Sequence, residues 1–138
     1  MTKTPYLPPP WMAAHVGNRF AALFGRRVIS ELEVVGRTSG KPRRVPVAVY
    51  EHDGRRYLIA PRGDTNWARN LRAAGEGRLS HRGTRWAFTA TEVPVAERPA
   101  LIAGYRRRFG RFPMVGKTFD ALPDPADHPT FLISELAG

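Results

Sequence analysis

The chain has 138 residues, 42% of them hydrophobic and 25% charged, with 13 glycines, 13 prolines and no cysteine. That balance fits one domain, 1–138, with a real core, and it excludes a disordered chain, a disulfide scaffold and a thiolate metal site. The net charge is +10 and 19 of the 22 cations are arginine, whose planar fork suits phosphate and carboxylate, so an anionic partner is expected.

Residues 1–10 read as an extended lead-in, because four prolines fall between Thr4 and Pro10. From Trp11 to Phe24, Met12, Val16, Phe20 and Leu23 recur at helical spacing, and Gly25 marks the end. Such a helix caps a barrel or, being amphipathic, aromatic and close to a basic terminus, lies on a membrane surface. No signal-peptide core and no membrane-length apolar run is present, so the expected location is cytoplasmic, with peripheral membrane contact through this helix as the alternative.

Val28 to Val35 alternates, with Leu32 and Val34 opposite Glu31 and Glu33, and predicts a strand exposed on one side. Arg44 to Tyr50 predicts a second strand with Val45, Val47 and Val49 on one face; Pro46 within it requires an edge or a bulge. Asp53-Gly54 is a type I′ hairpin signal leading into a third strand, Arg55–Ala60. These three form a meander. Asp64 or Thr65 can cap a helix running to Ala74, with Gly75 as its stop. Arg78–His81 and Thr84–Thr91 pair around Arg82-Gly83, and Val95–Phe109 is helical. Asp120–Pro129 reads as a Pro/Asp-rich loop, and Thr130–Leu136 as a strand that closes the sheet. The expected class is α+β: a small, mostly antiparallel split β-barrel of about six strands with about three helices.

No metal site is expected, since His15, His52, His81 and His128 are scattered without ligand spacing. There is no nucleophile elbow, Walker loop or dinucleotide fingerprint. What remains is anion chemistry with aromatics. The loop from Gly36 to Arg43 places two glycines, Thr38 and Ser39 among Arg37, Lys41 and Arg43, and Arg44 follows, so its backbone N–H groups can converge on an anion. Arg62 ends the third strand, and the helix starting near Thr65 aims its free amides and positive dipole end at the same region, with Trp67 in the first turn.

Gly36-Arg37-Thr38-Ser39-Gly40-Lys41-Pro42-Arg43, followed by Val45-Pro46, resembles the G-R-x-S-G-x-x-R…P signature of the deazaflavin (F420)-dependent nitroreductase family. Ala60-Pro61-Arg62-Gly63 and then Trp67-Ala68-Arg69-Asn70-Leu71 is similar to the same family's small-residue/basic/Gly turn followed by W-x-x-N-L. The resemblance runs from about Leu32 to Ala73. It implies a split barrel related to the FMN-binding flavoproteins, holding F420 in a groove. By that resemblance Arg37, Thr38, Ser39 and Arg43 hold the phosphate-bearing side chain of the coenzyme. Arg44, Val45, Pro46, Val47 and Ala48 line the groove through backbone; Ile59, Ala60, Pro61 and Arg62 form the other wall; and Asn66, Trp67, Ala68, Arg69 and Asn70 contact the ring system.

Two departures stand out. Family members often carry Lys where Thr38 stands, with Lys41 as the candidate substitute. The tyrosines that follow the last helix in the founding nitroreductases correspond loosely to Phe109-Gly110-Arg111-Phe112-Pro113, and phenylalanine donates no hydrogen bond. Phe109 and Phe112 are therefore the candidate substrate-side residues, and no catalytic acid is assigned among Tyr50, Tyr57, Tyr105 and solvent. The implied activity is an F420H2-dependent oxidoreductase passing a hydride to a small unsaturated, quinone-like or nitro substrate. The alternatives are an FMN- or haem-binding split barrel and a non-enzymatic nucleic-acid-binding barrel, the last not expected. The expected assembly is a monomer or homodimer.

Overall fold

A computed structural model describes residues 28–136. The expected lead-in and the Trp11–Phe24 helix, with its membrane alternative, lie outside the described residues. Seven strands form one antiparallel sheet: β1 (Ile29–Val35), β2 (Pro42–Ala48), β3 (Tyr50–His52), β4 (Arg55–Ile59), β5 (Glu76–His81), β6 (Thr84–Glu92) and β7 (Thr130–Glu135). Helix α1 (Asn66–Ala74) joins β4 to β5, while α2 (Arg98–Phe109) and α3 (Pro113–Ala121) lie between β6 and β7.

The sheet order is β2-β1-β5-β6-β7-β4-β3. Its two end strands, β2 and β3, are consecutive in the chain with only Val49 between them. One expected strand, Arg44–Tyr50, is thus bent at Val49 and belongs to both ends of the sheet, which curls it into the split barrel. The meander survives in connectivity, with β1 pairing β2 and β4 pairing β3. Pro46 sits on an end strand, opposite Glu31, where its missing N–H breaks no ladder. β7 inserts between β6 and β4 and closes the gap.

Period-two alternation sorts the apolar residues into two cores. Leu32, Val34, Val47, Leu58, Leu79, Phe88, Phe131 and Ile133 fill the barrel together with Ala68 and Leu71 of α1. Ala48, Tyr50, Tyr57 and Ile59 point the other way, into a second core roofed by Leu101, Ile102, Tyr105 and Phe109 of α2 and by Val115 and Phe119 of α3. β4 is therefore buried on both faces. Gly104 of α2 lies directly on Tyr50, where an added Cβ would collide with the phenol, so the helix approaches only because a hydrogen stands there.

The turns follow the chemistry read from the chain. Asp53 and Gly54 (φ 51° and 76°), like Arg82 and Gly83 (φ 50° and 88°), hold the paired positive φ values of a type I′ hairpin. Thr65 is the N-cap of α1, and Gly75, at φ 71°, returns its N–H to Leu71 O. The region after Phe109 departs from expectation. Phe112 caps α3, Pro113 occupies its first turn, and Val115 and Phe119, four residues apart, are buried. The Asp120–Pro129 loop holds a 3-10 turn, Pro125–Asp127, capped by the Asp124 side chain on the Ala126 amide at 2.9 Å.

Candidate coenzyme groove

The β1–β2 loop is closed on itself. Gly36 N donates to Lys41 O (2.8 Å), Gly40 N to Gly36 O (2.9 Å), and Lys41 N to Ser39 Oγ (3.2 Å). A Cβ on Gly36 would lie 2.8 Å from Ser39 Oγ, so a side chain there would push that hydroxyl from its bond to Lys41 N. Most of the amides expected to converge on an anion are therefore already used. Those of Thr38 and Ser39 bond to nothing among the described residues.

The loop is tied to α1 by Arg37. Its backbone N–H and its Nη1 both donate to Asn70 Oδ1, at 3.1 and 2.7 Å, and its Nη2 donates to Asn66 Oδ1 at 3.3 Å. Asn70 is only 5% exposed. The two sequence blocks that carry the resemblance are thus physically joined, through the Arg of one and the Asn of the other.

Between loop and helix runs a groove of about 610 Å³. The expected residues Arg37, Thr38, Ser39, Arg43, Arg44, Val45, Pro46, Arg62, Asn66, Trp67 and Asn70 line it. Val34, Gly36 and Thr65 line it too, without having been anticipated as contacts. Thr65 had a signal in its place as the helix cap; Val34 and Gly36 merely flank the motif. The remaining expected residues stand elsewhere. Val47, Ala60 and Ala68 are buried in the barrel core, and Ala48 and Ile59 in the second core. Pro61 does not line it. Arg69 turns away to Asp64, with its Nε 3.2 Å from Oδ2. Lys41 does not reach the groove either, so it does not replace the cation absent at Thr38.

Phe109 and Phe112 are not brought to the groove. Phe109 is 2% exposed and packs edge-on against Tyr105, and Phe112 packs on the same second core. Tyr50, Tyr57 and Tyr105 are in that core as well, leaving none of the three on the groove. Burial raises Tyr105 well above the ordinary phenol value, opposed by the charge of Arg62, so it stays neutral.

Size alone does not single out this groove, since others of about 620 and 570 Å³ exist. Its chemistry does. Among the described residues no carboxylate lines it. Arg44 is held by Glu33 at 2.9 Å and Arg37 by the two asparagines, whereas Arg43 has no ion pair or hydrogen bond among the described residues. The Thr65 side chain makes no cap bond, and its buried Oγ1 has no partner among the described residues. Trp67, leaning on Phe131 (centroids 6.2 Å apart), adds a flat apolar wall with Val34, Val45 and Pro46. A cation, two free amides and a hydroxyl at an aromatic wall are donors that fit a phosphate-bearing, planar coenzyme.

A buttress lies behind the wall. His128, 1% exposed, places Nδ1 2.8 Å from Ala60 O and Nε2 2.6 Å from Leu122 O. Arg98, 5% exposed, donates to the carbonyls of Val93, Pro125, Ala126 and His128 and to Glu92. Glu92 in turn takes Arg72 through two bonds of 2.7 and 2.9 Å, and Arg72 also reaches Asp64 at 3.2 Å. Burial lowers Arg98 from the usual arginine value, opposed by Glu92; the hydrogen bond to Glu92 is the chief reason that Arg72 is raised.

The sequence model of the family described as F420H(2)-dependent quinone reductase matches residues 12–113. The chain belongs to that family. It is an F420H2-dependent reductase of the split-barrel type, a family with the deazaflavin coenzyme F420 as its cofactor. Solved structures agree on the fold. HutZ, the haem storage protein from Vibrio cholerae, superposes with a TM-score of 0.61 at 15% identity, over 88% of this chain and 90% of its own. The F420-H2 dependent reductase FDR-A gives 0.57 at 22% identity, over 78% and 95%. A structure described as a domain-swapped dimer gives 0.58 at 20% identity, over 90% and 97%. No curated protein matches the chain.

Proposed function

We propose that this reductase binds F420H2 in the groove between the β1–β2 loop and α1 and reduces a quinone-like acceptor there. The observation that carries the reading is the pairing, in one groove, of an uncommitted Arg43 with an aromatic wall at Trp67. Arg43, with the Thr38 and Ser39 amides, holds the coenzyme's phosphate; charge-assisted bonds of this kind are short and strong. The start of α1 adds its dipole, with no acidic residue in its first turn to oppose it. Trp67, Val45 and Pro46 orient the planar ring, and the Thr65 hydroxyl is free to bond to it.

When bound, F420H2 supplies a hydride and a proton, and an acceptor quinone leaves as hydroquinone. The protein contributes position. The groove mouth, formed by exposed Arg37, Thr38, Ser39 and Asn66, admits solvent, which delivers protons in place of a side-chain acid. Among the described residues no tyrosine lines the groove; a quinone, which accepts a hydride readily, fits that lining better than a nitro group. The haem alternative needs an axial ligand, commonly histidine. Among the described residues the histidines, His52, His81 and His128, are all off the groove, bonded to Tyr50, Ile29 O and two carbonyls respectively. Nothing in the family match favours FMN. The domain-swapped dimer of similar fold supports a homodimer for this chain.

Anaerobic mixing of enzyme and F420H2 with soluble quinones and, separately, with nitroaromatics tests the substrate class. Coenzyme oxidation is expected with quinones and little with nitroaromatics. Faster oxidation by the nitro compounds would reverse the assignment.

A further inference from the structure

The β1–β2 loop carries several cations, but their surroundings differ, and the difference assigns roles. Arg37 delivers two N–H groups to a single buried carboxamide oxygen, Asn70 Oδ1, and a third to Asn66 Oδ1. Asn66 and Asn70 are four apart on α1, so they present adjacent oxygens on one face, and the guanidinium fork spans them. Swinging Arg37 out to a ligand would break the 2.7 Å bond and leave the buried Asn70 oxygen with only the Arg37 backbone N–H at 3.1 Å. Arg43 has no such commitment among the described residues.

We propose that Arg37 is a positioning residue: held by Asn70 and Asn66, it braces the loop against α1 and leaves the coenzyme's phosphate to Arg43 and the Thr38 and Ser39 amides. The proposal rests on the coenzyme reading above for its binding consequences, but the brace itself exists without the coenzyme. With Gly36 N closing on Lys41 O, the brace fixes the segment whose two free amides face the groove. Lysine at position 37 would keep the charge but could not bond to both carboxamides.

The test uses Arg37→Gln, Arg37→Lys, Asn70→Ala and the Arg37→Gln/Asn70→Ala double variant of the full chain. F420 affinity is read by fluorescence anisotropy, and hydrogen exchange of the loop amides is read without coenzyme. The expected result is a loss of about tenfold in affinity for each single variant, with a double variant no worse than the poorer single. Lysine should not restore binding, and the loop amides should exchange roughly tenfold faster in each variant. Wild-type affinity in Asn70→Ala alongside a loss in Arg37→Gln would overturn the brace, as would losses that multiply or rescue by lysine. If Asn70→Ala does not fold, Asn66→Ala, at an exposed position, decides. A loss of about two- to threefold with faster loop exchange supports the brace, and no change in either overturns it. Should wild-type protein fail to bind F420, the coenzyme reading falls. The exchange data alone then judge the brace, with acceleration in both single variants supporting it and unchanged loop amides overturning it.

Discussion

Arg98→Ala should cost about 2–3 kcal/mol of stability, the upper range for losing hydrogen bonds made by a buried charged group whose partner is not stranded. Arg98 is nearly inaccessible and satisfies carbonyls from three segments: Val93 after β6, the Pro125–Asp127 turn, and His128 before β7. Alanine would leave the Val93 oxygen without its side-chain donor, while His128 O keeps the Thr130 hydroxyl and Pro125 O keeps the His128 amide. Glu92 would keep Arg72, so the residual charge is not stranded, which places the loss below that of an unpaired carboxylate. Against a typical total of about 5–15 kcal/mol, the change lowers Tm by roughly 10 °C. The injury should spread to the groove, because His128 carries Ala60 and the Arg62 wall follows directly. Denaturant melts of wild type, Arg98→Ala and Arg98→Lys check this, with lysine restoring only part, since one ammonium cannot span the same carbonyls. A loss below about 1 kcal/mol in the alanine variant would show that this network is not what holds the β6–α2–β7 region together.

Arg43→Ala should weaken coenzyme binding by about 1.5–3 kcal/mol, some 10- to 150-fold, and leave stability near wild type. The two halves of that expectation have separate grounds. Arg43 lines the groove, and among the described residues it has no partner whose loss would destabilise the fold. Arg44→Ala is the natural comparison: its guanidinium is spent on Glu33, so a smaller effect on binding is expected. Coenzyme affinity by anisotropy, together with a thermal melt of each variant, measures both. Equal affinities for Arg43→Ala and wild type would move the phosphate site elsewhere.

Much of this arrangement was legible in the chain because it rests on local chemistry. Asp53-Gly54 and Arg82-Gly83 declare their turns through φ, and Gly75 closes α1 through its cap, with Thr65 at the opposite cap position. The alternation of Val45, Val47 and Val49 against Ala48 and Tyr50 correctly separates the two cores. The bend at Val49 was not legible, since a strand that turns a corner keeps its period-two pattern while changing partners. α3 was hidden because Gly116 and the β-branched Val115 and Thr118 speak against a helix, and burial of Val115 and Phe119 overrides that. The groove's make-up was visible as two motifs, but not which motif residues face it. Arg69 reads as a ligand candidate and is an Asp64 partner; Arg37 reads as a phosphate ligand and is bonded to Asn70. The Arg37–Asn70 pairing, across 33 positions, leaves no periodic trace. Phe109 was misplaced for a related reason, as it ends α2 facing inward onto Tyr105.

The central claim is that the groove between the β1–β2 loop and α1 is an F420 site. Titrating the wild-type protein with oxidised F420 while following coenzyme fluorescence anisotropy, with FMN and haem titrated in parallel, tests it most directly. Saturable F420 binding, tighter than that of FMN or haem, is the predicted result. No binding at high micromolar F420, or preferential binding of either competitor, would contradict it.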